Sequence, residues 1–223
     1  MKELHASYGD SFMKQETILL VLSMAFVTCL LVSNVVAGKI IGVGLLGTIS
    51  AGIVCYPLTF LFTDTISELF GKRKATSIVW AGFGCNILLV ILILLAGYLP
   101  PAVFWEGQEA FMGTLGFVWR IVLASMVAYV VSQNLDVLGF HYIKEKTAGK
   151  YLWLRNNIST MFSQSIDTVL FIGIAFIGVM PITVVINMMI LQYIVKLIIA
   201  ACDTPFVYLL VLSLKNRISD ATN

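Results

Sequence analysis

Long apolar runs alternate with short polar stretches along the whole chain. The first 16 residues are polar and end at Glu16, and residues 17–37 then stay apolar for about the 20 residues that a helix needs to cross a bilayer. This run is too long for the core of a signal peptide and lacks a clear cleavage site. We therefore expect a mature chain that starts near Met1 and retains this run as its first transmembrane helix.

Five further runs of helical length follow. A glycine-rich segment, residues 38–48, predicts a tight and re-entrant connection before the second helix, which Pro57 interrupts near its start. Glycine, proline and basic residues mark the ends of the later runs. The predicted second to sixth helices cover about residues 49–69, 76–99, 117–140, 157–180 and 182–214.

The basic residues indicate how these helices are oriented. Eleven of the 14 Lys and Arg residues lie on one face if the N-terminus, the 70–75 and 141–156 loops and the C-terminus share it. Lys39 lies on the opposite face, while Arg120 and Lys196 are within spans. Cytoplasmic loops carry an excess of Lys and Arg. The pattern predicts an even number of spans with both termini in the cytoplasm.

Composition excludes a soluble globular domain. Of the 223 residues, 59% are hydrophobic and only 12% are charged, and the mean hydropathy is +0.96. The net charge of +2 favours neither a nucleic acid nor an acidic partner, so lipid is the expected environment. The sequence predicts an all-α, polytopic integral membrane protein of six helices. Residues 17–214 form its transmembrane domain, between cytoplasmic segments 1–16 and 215–223.

Ionisable residues inside the spans are the candidate functional groups, because each costs about 2.5–3.5 kcal/mol at a helix centre. We expect Arg120 and Glu68 to reach the lipid headgroups. Helical spacing places most of the others, together with amides, on one polar stripe per helix. Such stripes either bind a ligand or join helices by hydrogen bonds. The stripes comprise Asp64 with Glu68, Gln133 with Asp136, Gln164 with Asp167, and Gln192 with Lys196 and Asp203.

Two of these stripes share a local pattern, 31 residues apart. The pattern is Ser132-Gln133-x-x-Asp136 in the fourth helix and Ser163-Gln164-x-x-Asp167 in the fifth. An internal repeat would produce it, and so would convergent use of an amide and a carboxylate around one ligand. The sequence leaves both interpretations open.

Enzyme motifs are absent from the sequence. The two histidines, His5 and His141, lie outside the spans, and there is no H-E-x-x-H, G-x-S-x-G or Walker A motif. We therefore predict no catalytic residues, no metal site and no cofactor. Transport by this chain is then ion-coupled, facilitated or powered by another chain.

Several linked motifs resemble the VUT family, the queuosine precursor transporters. The similarity runs in order from the first helix to the sixth, which makes it specific. The matching residues are Ser33-Asn34, Ala37-Gly38-Lys39, Pro57-Leu58-Thr59, Thr63-Asp64, Glu68-x-x-Gly71-Lys72, Ser132-Gln133-x-x-Asp136-Val137, Trp153-Leu154-Arg155-Asn156-Asn157, Ser159-Thr160, Gln164-x-x-Asp167-Thr168, Tyr193-x-x-Lys196, Asp203-Thr204-Pro205 and Tyr208.

The resemblance implies uptake of 7-deazaguanine precursors of queuosine, preQ0 or preQ1, across the inner (cytoplasmic) membrane for salvage into transfer RNA. A guanine-like edge offers N–H donors to a carboxylate and a carbonyl to an amide or ammonium, so the polar stripes are compatible with such a substrate. We expect Asp167, Gln164, Lys196 and Asp203 to line a central site. Asp64, Gln133 and Asp136 are expected on its cytoplasmic side, and Asn34, Gln192 and Tyr193 complete the candidate set.

Several alternatives stay open from the sequence. The chain could be the substrate-binding subunit of a multi-component vitamin importer with a separate energising complex, or an intramembrane enzyme or scaffold. Lys196 could neutralise Asp167 or Asp203 structurally instead of contacting substrate, and Tyr193 could pack in the core. The spacing Gly38-x-x-x-Gly42 permits close helix contact, either within one chain or in a homodimer.

Overall fold

The computed structural model describes residues 2–146 and 152–219. Within them the chain forms seven α-helices and one antiparallel pair of short strands. The strands are β1 (Ile40–Gly42) and β2 (Thr48–Ser50). The helices are α1 (Lys2–Val36), α2 (Tyr56–Phe70), α3 (Lys72–Tyr98), α4 (Gln108–Leu115), α5 (Val118–Lys146), α6 (Leu152–Phe176) and α7 (Ile182–Ser219).

Four helical stretches are long and apolar enough to cross a membrane. They are Met13–Val36, Lys72–Tyr98, Gln108–Gly139 and Ile182–Lys215. The helix α3 illustrates their surfaces, because it exposes Leu88, Ile91, Leu92 and Leu95 at helical spacing. An exposed apolar stripe of this kind suits contact with lipid. The prediction of an all-α, multi-pass membrane protein is confirmed.

One of the six predicted spans is shorter than expected. The helix α2 has 15 residues, a length of about 22 Å at 1.5 Å per residue, against a hydrocarbon core of about 30 Å. The sequence predicted that Pro57 interrupts this helix. Pro57 instead lies in the first turn of α2, where proline is favoured, so it marks the start of the helix.

The glycine-rich connection was predicted incompletely. Residues 40–50 form a hairpin in which Ile40 pairs with Ser50 and Gly42 with Thr48, and a short 3-10 turn at Gly44–Leu46 closes it. A second 3-10 turn, Ala51–Val54, leads to α2. The predicted second helix therefore starts seven residues too early, at residue 49 instead of Tyr56. Gly38 and Gly42 follow the end of α1, so their spacing is not a helix-packing motif.

Other helix boundaries also differ from the prediction. The helix α1 already begins at Lys2, so the polar N-terminal residues continue the first helix. A short helix, α4, occupies the loop that was predicted before residue 117. The predicted 141–156 loop is helical up to Lys146 and again from Leu152. The last helix extends to Ser219 and contains Pro205.

The chain divides into two compact units. The first comprises residues 1–33, 54–89 and 199–223, and the second comprises residues 34–53 and 90–198. Leu22, Ile66 and Ala75 form the buried core of the first unit. The core of the second unit joins α5, α6 and α7, and its buried members are Ala37, Ile121, Ala124, Ile172, Ala175, Phe176, Val185 and Met188.

Candidate functional site

An ion pair between α6 and α7 is the most buried charged contact of the second unit among the described residues. The Lys196 ammonium lies 2.7 Å from Oδ2 of Asp167 and donates a hydrogen bond to it. The side chains are 6% and 20% exposed, respectively. Removing either charge from water is costly unless the partner compensates it. Each side chain of the pair therefore compensates the charge of the other at this position.

The Asp167 carboxylate has a second partner on α5. The Ser132 hydroxyl lies 3.3 Å from Oδ1 of Asp167 and 3.2 Å from the backbone carbonyl of Tyr129, so these two acceptors share its one proton. Because α5, α6 and α7 each contribute one group, packing of three helices positions this cluster. The residues Ser132, Asp167 and Lys196 are hereafter called the central cluster.

The two sequence patterns on α5 and α6 bond to each other reciprocally. The Ser163 hydroxyl donates to Oδ1 of Asp136 over 3.3 Å, the same distance that separates Ser132 from Asp167. Each serine thus bonds to the aspartate of the other pattern. This exchange requires antiparallel helices and places a local pseudo-twofold axis between them, since the earlier residue of one pattern meets the later residue of the other.

Helix geometry explains why serine and aspartate perform this pairing. They are four positions apart in each pattern and so project from one face, whereas the glutamine after each serine is rotated by about 100°. Gln133 is accordingly exposed, and Gln164 is half-buried. The structure does not bring Gln133 into the central cluster.

The remaining candidates of the second unit lie at helix α7 and at the end of α1. Gln192 is buried one turn before Lys196, and its Oε1 has no hydrogen-bond partner among the described residues. The Tyr193 hydroxyl donates to the backbone carbonyl of Met161 over 3.2 Å. Asn34 is buried.

Two predicted site residues belong to the first unit. Asp203 is buried on α7, whereas Asp64 is exposed on α2. The two carboxyl groups are close enough to interact electrostatically. The predicted central site combined Asp203 with Asp167, and that combination stays a prediction.

The prediction that Arg120 reaches the lipid headgroups is wrong, because its guanidinium bonds to backbone carbonyls of the protein. Its Nε donates to the carbonyl of Ile174 over 2.7 Å, and its Nη2 donates to the carbonyl of Ile177 over 2.5 Å. These carbonyls are at the C-terminal end of α6, where backbone acceptors lack intrahelical partners and a cation is favoured. Arg120 therefore caps the helix that carries Asp167.

A side chain of α7 holds the hairpin in place. The Asn187 carboxamide accepts from the backbone N–H of Thr48 over 3.1 Å and donates to the carbonyl of Leu46 over 3.4 Å. Gly47 lies between them with φ of +118°, and a Cβ there would overlap Asn187. The absence of a side chain at Gly47 is thus what permits this contact.

The sequence analysis missed the roles of Ser132, Ser163 and Asn187. The two serines were visible in the shared pattern, where their offset of four from each aspartate was the available signal. Asn187 stands outside every polar stripe and gave no signal. In the part of the chain that the structure describes, no group of three His, Cys, Asp or Glu residues is placed to hold a metal ion.

Comparison with known proteins identifies one matching family. Residues 50–210 match the family described as "Putative vitamin uptake transporter". This range includes α2, α5, α6 and the part of α7 that carries Lys196 and Asp203. None of the solved structures matches the chain.

Three curated relatives carry names that mention queuosine. A "Probable queuosine precursor transporter" from Bacillus subtilis is 34% identical over 164 residues, which cover 72% of this chain and 71% of the relative. The "Queuosine precursor transporter" of Escherichia coli is 33% identical over 129 residues, covering 56% of this chain and 54% of the relative. A Haemophilus influenzae relative is 31% identical over 129 residues, about half of its own length.

Proposed function

The chain belongs to the vitamin uptake transporter family, and from that premise we propose that it imports 7-deazaguanine precursors of queuosine for transfer RNA modification. The names of the curated relatives support this substrate class. The observation that carries the proposal is the central cluster, a buried cation and carboxylate with an added hydroxyl donor, inside the family match.

The chemistry of the central cluster suits such a substrate. A 7-deazaguanine base presents N–H donors and a carbonyl acceptor on one planar edge. The Asp167 carboxylate accepts N–H bonds, and the Lys196 ammonium donates to a carbonyl. When substrate enters, its hydrogen bonds to Asp167 and to Lys196 would replace the hydrogen bond between these two side chains. Neither charged group would then be left without a partner.

The proposal also includes a location and a topology. The chain would lie in the inner (cytoplasmic) membrane and cross it six times, with both termini in the cytoplasm. The distribution of Lys and Arg supports it, with eleven of 14 on one face. The short helix α2 would cross a locally thinned bilayer or rely on flanking helices. Cysteine accessibility at positions 10 and 220 tests the termini, and labelling from outside the cell would contradict this topology.

The test of function is queuosine in transfer RNA. The host makes no precursor and lacks its own importer, expresses this chain and receives nanomolar preQ0 or preQ1. We expect restored modification, and the two supplements rank the substrates. A host without any vitamin-importer energising complex separates a stand-alone carrier, which restores modification there, from a subunit that depends on a partner.

Substitutions connect that result to the central cluster. We expect Asp167→Asn to abolish most uptake at normal membrane levels, because the amide cannot pair with the ammonium. Asn134→Leu is the matched control, since its exposed carboxamide bonds only within its own helix, to the carbonyl of Val130. Full uptake by Asp167→Asn would remove Asp167 from the binding site.

A further inference from the structure

The carboxamide oxygen of a buried glutamine on α7 has no hydrogen-bond partner in the part of the chain that the structure describes. Gln192 is 4% exposed, and its Oε1 is the buried side-chain polar atom that finds no partner among the residues the structure describes. Buried polar atoms in proteins are almost always hydrogen-bonded. Hydrocarbon offers no water to replace the missing bond.

The position of this amide links it to the central cluster. Gln192 is four residues before Lys196, so the two side chains project from one face of α7. Both are buried, and the Lys196 ammonium is 2.7 Å from the Asp167 carboxylate. Met188, one turn before Gln192, is fully buried and apolar. The polar face of α7 in the second unit thus begins at Gln192.

We propose that Gln192 binds the lactam edge of the transported base, with Oε1 accepting the ring N–H and Nε2 donating to the adjacent carbonyl. The inference rests on the proposed function, which supplies a heterocycle with such an edge. A carboxamide and a lactam each present one donor and one acceptor side by side, so they form two parallel hydrogen bonds. Glutamine reads nucleobase edges bidentately in the same way. Gln192 is then the specificity-determining residue for this edge.

The test is a thermodynamic cycle between the residue and the ligand atom. Binding of preQ0 or preQ1, whichever binds more tightly, and of its 1-methyl derivative, in which the ring N–H is replaced, is measured by isothermal titration on purified full-length protein in lipid nanodiscs. Wild type is compared with Gln192→Met, which has a similar volume and no amide. If the bond exists, the effects of the two changes are not additive.

We expect N-methylation to weaken binding to wild type by at least about tenfold, because it leaves Oε1 buried and unpaired. In Gln192→Met the same methylation should weaken binding by no more than about twofold, since the acceptor is already gone. Gln192→Ala repeats the cycle with a smaller side chain and should give the same result. Asn134→Leu, measured in parallel, should retain the wild-type penalty.

The outcomes separate the two proposals. An equal methylation penalty in wild type and in both Gln192 variants overturns the lactam contact and leaves the proposed function intact; an ordered water on Oε1 would give this result. Wild type that binds neither preQ0 nor preQ1 overturns the proposed function and this inference with it. Gln192 variants that bind both ligands as wild type does also exclude the contact.

Discussion

Replacing Lys196 by methionine should destabilise the protein strongly. The substitution removes the ammonium 2.7 Å from Asp167 and leaves a carboxylate that is only 20% exposed. Breaking a buried pair in this way costs about 3–5 kcal/mol. Ser132 still donates to the other oxygen of the carboxylate, which places the expected loss at the lower end, about 3 kcal/mol. For a chain of 223 residues that corresponds to a fall in Tm of roughly 6–12 °C.

Thermal unfolding in one detergent, followed by tryptophan fluorescence, measures this loss. Lys74→Met is the matched control, because Lys74 pairs with Glu16 over 3.8 Å with both side chains 51% exposed. An exposed pair contributes about 0–1 kcal/mol, so this variant should melt within a few degrees of wild type. If Lys196→Met unfolds no earlier than Lys74→Met, the ion pair does not compensate Asp167 as argued.

A second change distinguishes stability from binding. Lys196→Met combined with Asp167→Asn removes both charges and should recover most of the lost stability, to within about 1 kcal/mol of wild type. Uptake should stay lost, because neither charged partner for the substrate is present. Reversing the pair, with Asp167→Lys and Lys196→Asp, is the stricter test. Full uptake by the reversed pair would mean that the two residues only neutralise each other.

Three further predictions concern the surrounding structure, and the same unfolding measurement checks them, with uptake added for the last. Gly47→Ala should destabilise the protein by about 1–3 kcal/mol, because its φ is +118° and a Cβ would overlap the Asn187 carboxamide. Gly42→Ala is the control and should be near neutral, since there is open space around Gly42. Equal losses of stability in the two variants would contradict the close approach of Gly47 to α7. Arg120→Met should cost at least about 2 kcal/mol through two lost charged hydrogen bonds to carbonyls of α6, and a loss below half of that would contradict the cap. Ser132→Ala and Ser163→Ala should each lower the free energy of unfolding by about 1 kcal/mol. Uptake should fall more in Ser132→Ala than in Ser163→Ala, and a larger fall in Ser163→Ala would contradict the role of the central cluster.

The long helices were predictable from the sequence because hydropathy and helical length decide them. The hairpin was not, since a short apolar run such as residues 49–54 suits a strand or a helix equally by periodicity. Pro57 was interpreted as a break, although proline in a first turn is also a start signal. The same residue type thus supports opposite boundaries, and only the packed structure decides between them.

The members of the polar stripes were predictable, but their pairings were not. Sequence spacing relates residues of one helix, so it could not decide whether Lys196 meets Asp167 or Asp203. The structure pairs it with Asp167. Arg120 was placed at a helix end, and its position suited both headgroups and the free carbonyls of a neighbouring helix. Which acceptor it meets depends on α6 packing beside α5.

The reciprocal serine–aspartate bonds explain why the shared pattern was ambiguous in the sequence. When an aspartate follows a serine at i+4 on each of two antiparallel helices, the helices can form two serine–aspartate hydrogen bonds related by a local twofold axis. This holds whatever the origin of the pattern. On α7, the ammonium of Lys196 is also bonded to Asp167. A carboxylate beside a buried ammonium offers an acceptor and a donor to one ligand, and this is why we assign substrate contact to Asp167.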